Sequence, residues 1–164
     1  MNREDIVVRP SGVRFMGQHF PCTIGRGGIT DDKKEGDGAT PRGTHYIAQM
    51  FYRPDRIAKP ADWAQPIGLN DGWCDAPDHP DYNHLIQKPF AHSHEDMRRA
   101  DPMYDLVMTT DWNWPHAAAG KGSAIFIHNW RRRCAPTAGC VAFHPLDLLW
   151  IAQQVTPRTR LIVV

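Results

Sequence analysis

The sequence predicts a mainly β protein with one or two short helices and a long ordered insert. Three observations carry this expectation. First, 14 prolines and 13 glycines among 164 residues punctuate the chain too often for a helical bundle. Second, its apolar runs are short, rich in aromatic and β-branched residues, and bounded by turn residues. Third, the stretch from 53 to 103 is dense in Pro, Asp, His and Trp with little periodicity. Its aromatics Trp63, Trp73, Tyr82 and Phe90 supply enough apolar surface for packing rather than disorder. The length suits one domain, so residues 1–164 are expected to form a single unit.

In chain order, EDIVVRPSGVRF reads as strand, Pro-Ser-Gly turn and strand, and HFPCTIG as a further short run. The polar, glycine-rich segment from Arg26 to Gly43 reads as a surface loop, its DDKKEGD run as a solvated one. THYIAQMFY follows as a strand. Within the insert, SHEDMRRA suggests a short helix with Ser93 as N-cap and acids in the first turn. MYDLVMTTDW and GSAIFIHNW read as buried strands. HPLDLLWIAQQV reads as a helix, with Pro145 in its first turn and Leu146, Leu149 and Trp150 as the apolar stripe. TRLIVV closes the chain as a strand. Trp73 and Trp112 are expected to be core aromatics.

Net charge is +1, with acids and bases mixed, which argues against a nucleic-acid partner. No run of 18 or more apolar residues appears, so no membrane span is expected. The opening MNREDIVVRP has no signal-peptide hydrophobic region. Cys22, Cys74, Cys134 and Cys140 are too few for a disulfide scaffold and form no C-x-x-C motif.

The chemistry concentrates in HNWRRRCAPTAGC, residues 128 to 140. His128, Cys134 and Cys140 supply three of the ligands zinc requires. However, no C-x-x-C, H-x-x-x-H or H-E-x-x-H spacing joins them. A Cys134–Cys140 disulfide is a second reading, and a buried small hydrophobe is the plain one, preferred for Cys134. Cys140 stands apart because Gly139 precedes it. A glycine there allows a tight turn whose N–H groups converge on one point, able to hold an oxyanion beside the thiol. His128 ends the strand SAIFIH, which runs toward the same loop. A thiol of ordinary pKa, about 8.5, is mostly protonated at neutral pH, and an adjacent imidazole can take its proton.

GSAIFIH and APTAGCVAF resemble the catalytic core of the L,D-transpeptidase (YkuD-like) family: a His, a gap, then [S/T]-H-G-C and a hydrophobic residue. Thr137, Gly139, Cys140 and Val141 match that pattern. KKEGDGATPRGTHYI resembles the family's upstream turn into a core strand, and GWCDAPDHPDYNHLI, SHED and YDLVMTTDWN resemble the middle of a short bacterial subgroup with a PTAGC motif. Ala138 stands where the family has a second histidine, Ala142 where it has Asn or Arg, and the His-to-Cys gap of 12 is shorter than usual.

The resemblance implies a YkuD-like β-sandwich or barrel and a cysteine L,D-transpeptidase acting on diaminopimelate-containing peptidoglycan stem peptides. A carboxypeptidase or endopeptidase on the same peptides is the alternative within that chemistry, and a non-catalytic or zinc-binding cell-wall module the alternative outside it. Cys140 would be the nucleophile and His128 the base. A backbone carbonyl near Asn129 would fix the histidine tautomer, and the N–H groups of Gly139 and Cys140 would form the oxyanion hole. No metal or organic cofactor is implied. A monomer is expected, and the substrate implies the periplasm or cell envelope.

Stem peptides carry carboxylates and amines, so both signs are expected in the site. Arg131, Arg132 and Arg133 are candidates for carboxylates. Thr137 and Ala138 of the nucleophile loop, and Asp75, Tyr82, Asn83, His94 and Glu95 of the insert, are candidates for the remaining substrate contacts, Asp75 and Glu95 for the amine. Arg42 in GATPRGT is a candidate support residue.

Overall fold

A computed structural model describes residues 2–164. The strands are β1 (Ile6–Arg9), β2 (Gly12–Phe15), β3 (Gln18–Phe20), β4 (Cys22–Thr23), β5 (Ile29–Thr30), β6 (Thr40–Pro41), β7 (Gly43–Tyr52) and β8 (Gln65–Pro66). β9 (Asp71–Cys74), β10 (Leu85–Gln87), β11 (His94–Asp96), β12 (Leu106–Thr110), β13 (Phe126–Asn129), β14 (Val141–Phe143) and β15 (Arg160–Val163) complete the set. One 3₁₀ turn, Pro102–Tyr104, and one helix, α1 (Pro145–Gln154), join them.

The principal sheet runs β3-β2-β1-β15-β7-β12-β13-β14-β4, with β8 added beside β7. Its two end strands, β3 and β4, are separated in sequence only by Pro21. The chain thus draws both edges together, and the sheet is nearly closed and barrel-like, which limits the exposed edge. The mainly β expectation holds.

Inside, Ile6, Val8, Val13, Met50, Met108, Ile127, Val141 and Phe143 form a core covered by Leu148, Ile151 and Ala152 of α1. The helix starts at His144, whose Nδ1 accepts from the Leu146 N–H at 3.3 Å, with Pro145 next. Its buried stripe differs from the expected one. Leu148, Ile151 and Ala152 face inward at helical spacing, whereas Leu146 is 70% exposed and Leu149 and Trp150 are only partly covered.

The insert is ordered, as its aromatics suggested. β10, β9 and β11 form a separate antiparallel sheet. SHEDMRRA is not a helix: His94, Glu95 and Asp96 pair with Cys74, Trp73 and Gly72. The Ser93 carbonyl accepts from the Asp75 N–H instead of opening a helix. Pairing with a distant strand outweighs the local helical signal here. Trp73, Met97, Tyr104, Val107 and Phe126 pack into a second core beneath the insert, and Cys140 packs against it. Trp73 is a core aromatic as expected, but Trp112 is only half-buried, its ring against His45.

Asn83 fastens the insert to the main sheet. Buried and in the left-handed region at φ 60°, its Oδ1 accepts from Trp73 Nε1 at 3.0 Å and the Ala124 N–H at 2.9 Å. Its Nδ2 donates to the carbonyls of Trp112 at 3.0 Å and Asn113 at 2.8 Å. Every polar capacity of the amide is thereby used. Asn83→Ala is expected to destabilise the protein by roughly 3 kcal/mol or more, because it strands several buried partners at once. Denaturant unfolding checks this, and a loss below about 1 kcal/mol would show the fastening to be dispensable.

The Arg26–Gly43 segment is not simply a solvated loop. Lys33 is buried against Asp37 at 2.5 Å. Glu35 accepts from the hydroxyls of Tyr82 and, at 2.8 Å, Ser123. DDKKEGD therefore contributes internal bonds that its composition does not announce.

Candidate active site

The site lies where β13 and β14 run side by side. They are parallel, with Ile127 opposite Val141 and His128 opposite Ala142. One step back, Cys140 lies beside Phe126. Because side chains alternate along a strand, Phe126 and His128 share a face, and Cys140 shares it with Ala142. Parallel pairing therefore sets the thiol and the imidazole on one face, two positions apart along the strands. Both line one cavity of about 670 Å³.

The thiol is held at two points. The Phe126 N–H donates to Cys140 Sγ at 3.4 Å, and Sγ donates to the Ala124 carbonyl at 3.1 Å. Ala124 is the residue whose N–H Asn83 accepts, so the insert's fastening also fixes the thiol's acceptor. His128 Nδ1 lies 2.8 Å from the Asn129 carbonyl. That bond assigns the proton to Nδ1, leaving Nε2 as the free lone pair. The Asn129 side chain donates to the Pro102 carbonyl at 3.0 Å, tying β13 to the 3₁₀ turn.

Burial pulls the His128 pKa down to about 4, with the nearby Arg99 adding to the effect and the Asn129 carbonyl opposing it. Burial pushes the Cys140 thiol up to about 12, reinforced by the Glu95 carboxylate and opposed by the Phe126 N–H and Lys33. At neutral pH the resting pair is therefore a thiol and a neutral imidazole, not an ion pair. Alkylation of Cys140 by iodoacetamide is expected to climb about tenfold per pH unit from 7 to 10, following a thiolate that is scarce throughout. Site-resolved mass spectrometry separates it from the exposed Cys134. A rate already at plateau by pH 6 would mean a preformed thiolate.

The nucleophile loop is built by close backbone approach. Gly139 has φ 139°, and a Cβ there would meet the Ala39 carbonyl oxygen at 2.9 Å, so glycine is needed. Its carbonyl accepts from Thr40 Oγ1 at 2.8 Å. Thr137 Oγ1 donates to the Cys140 carbonyl at 2.6 Å and accepts from the Gly139 N–H at 3.1 Å. The Thr137 hydroxyl is thus committed to shaping the turn rather than to a ligand. The Gly139 N–H, expected to point at an oxyanion, is directed onto Thr137. In GATPRGT the support comes from Thr40, not Arg42, which is exposed and paired with Asp31 at 3.1 Å.

Of the expected substrate contacts, Glu95, Arg131, Arg132, Thr137 and Ala138 line the cavity. Five others do not. Tyr82 is buried with its hydroxyl on Glu35, and Asn83 is consumed by its network. The His94 Nδ1 sits 2.7 Å from the His92 carbonyl, its ring against Phe90. Asp75 is half-buried outside the lining, with its Oδ1 buried and without a hydrogen-bond partner. Arg133 is exposed beyond the cavity. Cys134, expected to be buried, is exposed at φ 58°, and all four cysteines are free.

Sequence reasoning missed Arg26, Arg99, Met103 and Tyr104, which also line the cavity. Tyr104 is buried. Its hydroxyl donates to Glu95, its ring stands edge-on to His128 with centroids 5.5 Å apart, and the Arg99 guanidinium lies 5.3 Å from its centre. Arg99 is itself held bidentately by Asp101 at 2.9 and 2.7 Å. Burial, with Asp75 and Glu35 nearby, raises the Glu95 pKa, opposed by the Tyr104 bond. The insert thus walls one side of the site and braces the imidazole. No local motif betrays Tyr104, because its role depends on two distant strands. Among the described residues, no group of three or more His, Cys, Asp or Glu is placed to hold a metal ion.

The nearly closed β sheet thus sets a thiol and an imidazole in one cavity. The YkuD family model, described as the L,D-transpeptidase catalytic domain, matches residues 6–163, and the chain belongs to that family. Searches of curated proteins and of solved structures returned no match. Among the described residues no helix is long and apolar enough to cross a membrane.

Proposed function

We propose that this protein is a cysteine L,D-transpeptidase that cross-links peptidoglycan stem peptides through a thioester acyl-enzyme. The observation that carries the reading is the pairing of Cys140 and His128 in one cavity, with Nδ1 tied to the Asn129 carbonyl and Nε2 therefore able to act as base.

In the first half-reaction, the Cys140 proton passes to His128 Nε2 as sulfur attacks the carbonyl of the diaminopimelate residue. The carbon–nitrogen bond to the following D-amino acid breaks, and His128 returns the proton to the leaving amine. In the second, an amine of another stem peptide attacks the thioester, gives a proton to His128 and restores the thiol. The Cys140 N–H serves the oxyanion, since the Gly139 N–H is engaged by Thr137. Glu95 and the loop arginines are the substrate contacts, and the cell envelope is the site of action that follows from the substrate.

The test is incubation with defined disaccharide di-, tri- and tetrapeptides followed by product masses. A dimer mass with loss of a D-amino acid is the expected result. A hydrolysed monomer alone would make the enzyme a carboxypeptidase, and no change in any donor would remove the reading. A carbapenem should also leave a covalent adduct on Cys140, which a non-catalytic module would not give.

A further inference from the structure

The cavity around Cys140 is asymmetric in charge. Four arginines line it, Arg26, Arg99, Arg131 and Arg132, against the single carboxylate of Glu95. Arg99 is neutralised by Asp101, and Glu95 already accepts from Tyr104. Among the described residues Arg26, Arg131 and Arg132 have no ion pair, but the Arg131 charge acts on Asp101, so Arg26 and Arg132 are the guanidinium groups left without a carboxylate in the cavity that holds the thiol.

Arg26 differs from the other two in how it is built. All three are exposed, and Arg131 and Arg132 sit on the loop between β13 and β14. Arg26 instead belongs to a segment joined to the nucleophile loop by backbone. Gly25 bridges Thr137, the Arg26 N–H donates to the Thr137 carbonyl at 2.9 Å, and the Thr137 N–H donates to the Ile24 carbonyl at 3.0 Å. Its side chain lies across Gly38, where a Cβ would come within 3.0 Å of Arg26 Cγ and Nε. A glycine at φ 69° thus leaves the channel along which the guanidinium reaches the cavity. Whatever holds the Thr137–Cys140 turn in place also fixes Arg26 relative to the thiol.

We propose that Arg26 is a specificity-determining residue that binds a free carboxylate of the donor stem peptide, placing the scissile carbonyl at Cys140. This rests on the stem-peptide reading above and names the donor feature it requires. A planar guanidinium pairs with a carboxylate through two parallel hydrogen bonds, a geometry that neither an amide nor a lysine reproduces. An uncompensated cation in a partly enclosed cavity also favours anionic over amidated donors.

The experiment compares the wild type, Arg26→Gln and Arg26→Lys on one donor with all carboxylates free and on donors amidated at a single carboxylate. On the free donor, Arg26→Gln is expected to lower kcat/KM about ten- to a hundredfold, the loss of a charge-assisted pair, with Arg26→Lys recovering only part. One singly amidated donor should impose the same loss on the wild type, and on that donor Arg26→Gln should add less than about twofold. Cys140 alkylation by the neutral iodoacetamide should be unchanged in both variants, since the thiol's own contacts are untouched. A kcat/KM within about twofold of wild type on the free donor overturns the inference, as does an equal loss on every amidated donor. A wild type inactive on all donors removes the stem-peptide reading and this inference together, whereas an active wild type indifferent to Arg26 removes this inference alone.

Discussion

Cys140→Ala is expected to abolish cross-linking and D-amino-acid release together. Both begin with the same sulfur, and nothing else in the cavity supplies a nucleophile of comparable strength. Product formation should fall at least about a thousandfold, to the level of stem peptide incubated without enzyme. The fold should persist. Sγ makes only one donated and one accepted bond, at 3.1 and 3.4 Å, and the variant leaves the Thr137 and Thr40 contacts of the loop intact. The carbapenem adduct should vanish with the activity. Turnover in the folded variant above about one per cent of wild type would remove the nucleophile assignment.

His128→Ala carries the second large effect and has two readouts. Removing a general base is expected to slow acylation by roughly a hundred- to ten-thousandfold. The loss should be near the upper end here, because the Cys140 thiol, pushed up to about 12, cannot ionise without help. The other readout is stability. Burial holds the folded-state pKa of His128 at about 4, below the ordinary 6.5. Between those values the unfolded chain binds the proton and the folded chain does not. The stability is fully present above pH 6.5 and is lost as pH falls toward 4, by about 3 kcal/mol in all. Glu95, whose pKa burial raises, works in the opposite direction, so the informative quantity is the difference between wild type and variant. Thermal unfolding at pH 7 and pH 5 should show a smaller acid loss in His128→Ala. An equal loss in both proteins would mean that His128 is not a buried neutral base.

Much of the fold could be read from local patterning. Ile6–Arg9, Gly12–Phe15 and Arg160–Val163 alternate or run apolar between turn residues, and their partners lie where short apolar strands must go. The cysteine and histidine were legible because their chemistry is written locally, as a glycine before a thiol and an imidazole at a strand end. What escaped was set by distant partners. SHED became a strand because Trp73 and Cys74 lay opposite it. Tyr82 and Asn83 have the side chains of substrate contacts but answer to Glu35, Trp73 and Ala124. Arg26 and Tyr104 reach the cavity from widely separated segments, a glycine-rich loop and the exit of the insert, and neither segment identifies its destination.

The parallel pairing of β13 and β14 also bears on how such a domain can change over time. Antiparallel neighbours can be joined by a two-residue hairpin, but parallel ones need a return path that leaves the sheet and crosses to its opposite end. Here that path is residues 130–140, which carry the three arginines. The return runs the length of the strand pair, from beside Asn129 to Cys140, and its residues line the cavity, so this wall of the cavity is a by-product of connectivity. Length and charge in its 130–136 part can be altered without touching the Thr137–Cys140 turn, which the ladder, Thr40 and Asn83 hold in place. The reacting atoms and the loop arginines are thus mechanically separable, and exchanging the 130–136 segment between relatives should change what Arg131 and Arg132 contribute to donor binding while leaving thiol reactivity and the Arg26 contact as they were.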